Sequence, residues 1–133
     1  MPGVVVDTHS IVWYLAQDPN LSATAMRALD GATQAGDSIL VPAICLVELT
    51  YLVEKTRLPA VARERLIEAL DNPEMPVQLA PLDRTVIDAV GSVNRSEVPD
   101  MPDRIVVATA LALQPPLVTR DANIRASRIQ TIW

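Results

Sequence analysis

The 133-residue chain has no phenylalanine, one cysteine, one histidine and four glycines. Aromatics make up 3%, and Lys55 is the sole lysine. Each scarcity excludes something. One cysteine, Cys45, permits no internal disulfide, and its place in an apolar run reads as a small core residue rather than a reactive thiol. A chain without paired cysteines gains nothing from an oxidising compartment, so a cytoplasmic location is expected. His9 is the only candidate for a histidine general base, and it reads as a structural or surface residue. Four glycines do not build a glycine-rich phosphate loop. No apolar run approaches the ~20 residues of a transmembrane helix. No basic N-terminal region precedes a long apolar stretch, so no signal peptide is visible and no membrane association is expected.

What is present is aliphatic. Half of the residues are hydrophobic, and the length suits a single domain, residues 1–133, with a real core. The net charge of −5 argues weakly against non-specific nucleic-acid affinity. The charge is uneven, however. Residues 1–99 hold 13 acids and 7 bases, whereas residues 100–133 hold 3 acids and 4 bases. Ten of the eleven basic residues are arginine, whose planar fork suits phosphate better than lysine does. Most of them are expected to be ordinary solvated surface.

Strands and helices alternate along the chain. Residues 4–6 are a β-branched run that reads as a buried strand. Thr8, Ser10 and Asp7 compete to cap the helix that follows. Ser22 caps a helix to about Ala35, with Gly36 as its stop. Residues 38–41 form a second strand ended by Pro42. A helix then runs from Ala43 to about Thr56, and another from Pro59 to about Leu70. Residues 77–80 read as a third strand. Asp83 caps a helix with apolar positions at Val86, Ile87, Val90 and Val93. A polar, proline-containing loop spans residues 94–102, and Asp103 starts a helix to about Leu113. Residues 117–119 make a fourth strand. A short helix at residues 124–128 and a strand at 131–133 follow. This alternation predicts a three-layer α/β/α domain with a mainly parallel sheet.

Four acids adjoin or interrupt the apolar runs: Asp7, Glu48, Asp103 and Asp121. A carboxylate beside buried hydrocarbon costs several kcal/mol unless it is paired, hydrogen-bonded or metal-bound. Taken singly, each has an ordinary explanation. Asp7 and Asp103 could cap helices, Glu48 could lie on an exposed stripe, and Asp121 could be a turn residue. Together they fall at one edge of one sheet. Asp7 and Asp121 end strands, where the crevice of a parallel sheet opens. Asp103 stands at a helix N-terminus, and Glu48 lies one and a half turns into its helix. Asp100 could face the same place.

Crowded carboxylates repel one another unless cations neutralise them. All-oxygen ligands without a Cys or His cluster select Mg²⁺ or Mn²⁺ over zinc. Two such ions about 4 Å apart can activate water and stabilise the leaving oxygen in phosphodiester cleavage. Arg104, Arg120, Arg125 and Arg128, in the basic C-terminal segment, are candidates to hold phosphates.

These residues resemble a PIN-domain ribonuclease of the VapC-like toxin type. The resemblance rests on Val5-Val6-Asp7-Thr8-His9 with Trp13-Tyr14-Leu15, and on Val47-Glu48-Leu49. It is strongest in Asp100-Met101-Pro102-Asp103-Arg104-Ile105-Val106-Val107-Ala108-Thr109-Ala110 and in Leu117-Val118-Thr119-Arg120-Asp121. The order and spacing of these blocks cover nearly the whole chain. The resemblance implies a parallel sheet of about five strands, Mg²⁺ or Mn²⁺ in the pocket, and cleavage of single-stranded or loop RNA. It implies that Asp7, Glu48, Asp103 and Asp121 are the acidic quartet, with hydroxyls of Thr8 and Thr119 assisting. Pro102 stands where the family often has an aromatic.

The expectation is therefore a metal-dependent endoribonuclease, the toxin of a toxin–antitoxin pair, held inactive by a small antitoxin and forming a homodimer. Asp7 and Asp103 would be the principal ligands, with Glu48 and Asp121 completing the site or positioning water. Trp13 and Tyr14 would serve partner surface or core. Two alternatives share the sheet: a non-catalytic RNA-binding or interaction module, and a phosphatase using Asp7 as nucleophile. The first would lack an acid, and none of the four is missing. The second usually needs a neighbouring acid or lysine, which the surroundings of Asp7 do not offer.

Overall fold

The computed structural model describes residues 3–133. The chain runs β1 (Gly3–Val6), α1 (Thr8–Ala16), α2 (Ala23–Ala35), β2 (Ser38–Pro42), α3 (Ala43–Glu54) and α4 (Ala60–Asp71). It continues through β3 (Val77–Ala80), α5 (Arg84–Val90), α6 (Met101–Leu113), β4 (Leu117–Val118), α7 (Ala122–Arg125) and β5 (Thr131–Ile132). The strand order is β3-β2-β1-β4-β5, and every neighbouring pair is parallel. The predicted α/β class holds, and the sheet is wholly rather than mainly parallel.

Successive strand residues point to opposite faces. Val4, Val5 and Val6 are nonetheless all buried, so helices cover both faces of the central strand. α2 packs on β1, β2 and β5, α6 on β1 and β2, and α4 on β3. Burial fades toward the edges: β3 exposes Gln78 and Leu79, and β5 is only half-buried. The fully buried side chains are aliphatic, including Ile11, Leu29, Ile39, Leu49 and Leu117. Cys45 belongs to this core. Its thiol donates to the Val6 carbonyl at 3.8 Å, and burial pushes its pKa up. Among the described residues no helix is long and apolar enough to cross a membrane.

The order of the strands determines where a site can lie. From β1 the chain moves outward to β2 and β3, then returns to the other side of β1 as β4 and β5. That reversal opens a crevice beyond the carboxyl ends of β1 and β4. Asp7 is the first residue past β1, and Thr119 the first past β4. At the other end of β1, Gly3 has φ +132°, and a Cβ there would stand 2.7 Å from the Ser38 carbonyl oxygen. Only glycine lets the first β1–β2 pair close in this way.

Several boundaries depart from expectation for local reasons. α6 begins at Met101 rather than Asp103, because Asp100 is the cap and accepts from the Asp103 amide at 3.1 Å. Pro102 falls in the first turn, where its missing N–H has no intrahelical partner to lose. α5 ends at Val90, so Val93 is buried from beyond the helix and Ile87 is 51% exposed. α7 starts at Ala122 because Asp121 caps it.

Candidate active site

Asp7 leaves β1 with its amide donating to the Val118 carbonyl of β4 at 3.3 Å. Its Oδ1 accepts from the Ser10 amide at 3.0 Å, which makes it the cap of α1. Its Oδ2 accepts from the Thr119 hydroxyl at 2.5 Å. The cap reading and the site reading of Asp7 are therefore compatible: the cap fixes the direction in which the carboxylate points.

Thr119 is fully buried and works in two directions. Its hydroxyl donates to Asp7 and accepts from the Asp121 amide at 3.0 Å. Asp121 in turn caps α7, accepting from the Ile124 amide at 2.9 Å. On the other side, the Thr8 hydroxyl donates to Glu48 Oε1 at 2.5 Å, which ties α1 to α3. The Ser10 hydroxyl donates to the Val118 carbonyl at 3.1 Å. Among the described residues four polar ones are buried, and three of them, Thr8, Ser10 and Thr119, take part in this network. A buried hydroxyl is costly without a partner, and here each orients a carboxylate or the strand that carries one.

Asp7, Glu48, Asp103 and Asp121 all line one cleft of about 670 Å³, and Asp100 lines it too. The five carboxylates come from four segments that the fold brings together, Asp100 and Asp103 sharing the start of α6. Asp103 shows what this crowding does. Its carboxyl is pushed up to about 7, first by burial and then by repulsion from Asp100, Asp121, Glu48 and Asp7. Asp100, expected as a second acid near the site, is both cleft wall and cap of α6.

The donor chemistry suits a hard cation: carboxylate oxygens dominate, no sulfur is offered, and the repulsion they share is what a cation relieves. The side chains do not yet clasp a point. Among the described residues no three His, Cys, Asp or Glu are gathered closely enough to hold an ion. The cleft fits Mg²⁺ or Mn²⁺ by chemistry, and side-chain convergence would have to complete the cage.

Of the four arginines expected near phosphate, Arg120 alone lines the cleft. Arg104 turns away: its guanidinium donates to the Val90 and Val93 carbonyls at 2.9 and 3.0 Å, tying α6 to the segment after α5. Arg128 lines a separate cavity, and Arg125 lies in α7 outside the cleft wall.

Sequence reasoning undervalued two residues. His9, read as structural, and Trp13, read as core or partner surface, both line the cleft. The arginine Cζ of Arg120 lies 4.8 Å from the Trp13 ring centroid. The i,i+4 spacing of His9 and Trp13 placed them on one helix face, a signal available in the sequence. The pairing of Trp13 with Arg120, more than a hundred residues away, was not. Tyr14 does not join them; its hydroxyl donates to Asp30 at 2.9 Å.

Comparison with known proteins agrees with this geometry. The PIN domain family model matches residues 4–129, and the chain belongs to that family. It is 29% identical over 137 residues to Ribonuclease VapC22 of Mycobacterium tuberculosis, with all of both chains covered. Among solved structures, that of VapBC2 from Rickettsia felis bound to a DNA fragment from their promoter is similar, with TM-score 0.71, 18% identity and coverage of 97% and 96%. FitAcB from Neisseria gonorrhoeae gives TM-score 0.65 at 20% identity, covering 96% and 95%. A toxin–antitoxin complex from Klebsiella pneumoniae gives 0.64 at 16%, covering 98% and 96%.

Proposed function

We propose that the chain is a Mg²⁺- or Mn²⁺-dependent endoribonuclease and the toxin of a cytoplasmic toxin–antitoxin pair. The observation that carries this reading is the convergence of five carboxylates in one cleft, one of them pushed up to about 7 by burial and by its acidic neighbours. Its family membership and a relative named as a ribonuclease support it, as do structural neighbours solved as toxin–antitoxin assemblies. The proposed partners are RNA, a small antitoxin and a second copy of the chain. Val47 and Tyr51, four residues apart on α3 and more than half exposed, offer an apolar face to one of them.

The bound cation would supply polarisation of a phosphate oxygen and a more acidic water. The chain's own residues do the rest. Asp7 and Asp103 are the principal ligands in this reading. Asp7 arrives oriented by Ser10 and Thr119, so little side-chain freedom is lost when it ligates. Asp103, whose carboxyl burial and its acidic neighbours push up to about 7, would be favoured in its charged form by a cation held in the cleft. Glu48, steadied by Thr8, and Asp121, steadied by α7, hold oxygens able to accept a proton from the attacking water.

The test is cleavage of single-stranded RNA with Mn²⁺. Asp7→Asn and Asp103→Asn should each lower the rate by about 10³-fold, the loss expected when a group stabilising transition-state charge is removed. Unchanged cleavage in both variants would remove the acidic cleft from the mechanism.

A further inference from the structure

Among the described residues Arg120 is the only basic side chain other than His9 on the wall of a cleft that holds five carboxylates. A guanidinium so placed has every electrostatic reason to collapse onto one of them. It does not. Among the described residues the one ion pair is Arg84–Asp88, on the surface of α5. The Arg120 guanidinium lies instead over the ring of Trp13, at a distance where a cation is attracted to the aromatic face. That ring is itself held. Trp13 sits on α1, partly buried against the core. The His9 ring lies 5.4 Å from it, and the Trp133 ring lies 6.1 Å away on β5's side of the chain.

The arrangement solves a conflict within the cleft. An acidic pocket repels the phosphates of a polyanion, so a cation at its wall is needed to receive them. The same cation, if free to swing, would neutralise the carboxylates and compete with a metal ion for them. An aromatic face holds a guanidinium without neutralising it. The other three arginines of the C-terminal segment are not available for this task, since Arg104 is bound to carbonyls and Arg125 and Arg128 lie off the cleft wall.

We propose that Trp13 is a positioning residue that holds the Arg120 guanidinium off the carboxylates, leaving it free to bind a phosphate of an RNA strand entering the cleft. This inference rests on the nuclease reading above for the identity of the polyanion. The placement of Arg120 does not depend on that reading.

Two measurements test it. The first is Mn²⁺ affinity without RNA, followed by paramagnetic resonance of the free ion. Trp13→Leu frees Arg120 to pair with the carboxylates and weakens Mn²⁺ binding about two- to fivefold, the range a partly exposed cation–π contact supports. Trp13→Phe keeps a ring face and the wild-type affinity. Adding Arg120→Ala to Trp13→Leu restores the affinity. Melting curves confirm that each variant is folded, and Trp13→Met, which also lacks a ring face, serves if Trp13→Leu is not. The second is the salt dependence of kcat/KM on single-stranded RNA. Arg120→Ala and Trp13→Leu each reduce the logarithmic slope by about 0.7, the loss of one phosphate contact, and together they lose no more than either alone. Equal Mn²⁺ affinity in wild type and a folded Trp13→Leu, or a double variant as weak as Trp13→Leu, overturns the proposal in a chain that still cleaves RNA. A wild-type chain that binds Mn²⁺ but cleaves no RNA overturns the nuclease reading and the phosphate role together.

Discussion

The two sides of the acidic cleft are built differently. On the side of β1 and β4, every carboxylate has a donor: Asp7 takes Ser10 and Thr119, Glu48 takes Thr8, and Asp121 takes Ile124. On the side of α6, burial and repulsion act on Asp103 with no compensating hydrogen bond, and its carboxyl rises to about 7. The difference teaches that the fold aims some carboxylates of one cleft with hydroxyls and amides and leaves another to burial and repulsion. One side of the cleft is thus oriented in advance, and the other carries a carboxyl that burial and repulsion make less acidic.

Breaking the oriented side should have the larger effect on the site. Thr119→Val removes a hydroxyl that serves Asp7 and Asp121 at once, and should weaken Mn²⁺ binding about 10- to 100-fold, as loss of a ligand-orienting partner does. Titration calorimetry measures this. Thr8→Val, which frees only Glu48, should lose less. Equal losses would mean that the network through Thr119 has no special standing.

The α6 side should show itself in pH dependence. Above its ordinary value of 3.8 the unfolded Asp103 gives up its proton, while the folded chain keeps it to about 7. Between those values the folded state binds more protons, so this group's contribution to stability falls as pH rises. Solvent at the cleft damps the size of the effect and leaves its sign. Melting without metal should therefore show Asp103→Asn gaining stability relative to wild type at pH 8 and not at pH 4. Added Mg²⁺ should raise the wild-type melting temperature more at pH 8 than at pH 5. A metal-free chain whose Asp103→Asn variant is equally displaced at both pH values would remove the contrast between the two sides.

The smallest effect on the cleft is expected from Arg104. Its replacement by methionine orphans the Val93 carbonyl, leaves the Val90 carbonyl with the Val93 amide alone, and should cost about 1–3 kcal/mol of stability by denaturant titration. Mn²⁺ affinity should stay within about twofold, because its charge is spent outside the cleft wall. A large loss of Mn²⁺ affinity would return Arg104 to the site.

Much of this was legible in the sequence, and the reasons are particular. β-branched runs and helix stops located the strands and most helices, since those signals are local. The quartet was readable because an acid beside hydrocarbon is conspicuous in a one-dimensional string. The start of α6 was not, because Asp100 and Asp103 are both good caps and the proline between them suits a loop or a first helical turn equally. The allocation of the arginines was also hidden. Arg104 and Arg120 are alike as letters, and only packing sends one to backbone carbonyls and the other to the face of Trp13.

β4, inserted beside β1 late in the chain, has a consequence for synthesis. Asp7 and Glu48 leave the ribosome well before Asp103, Thr119, Arg120 and Asp121, which follow more than fifty residues after Glu48. Until β4 arrives, one edge of β1 lacks its neighbour, and the Asp7 carboxylate lacks the Thr119 hydroxyl. A nascent or truncated product ending before residue 103 carries two of the four acids and no assembled cleft. The strand order therefore acts as a completion check, withholding the site from every fragment that stops short of β4 and Asp121.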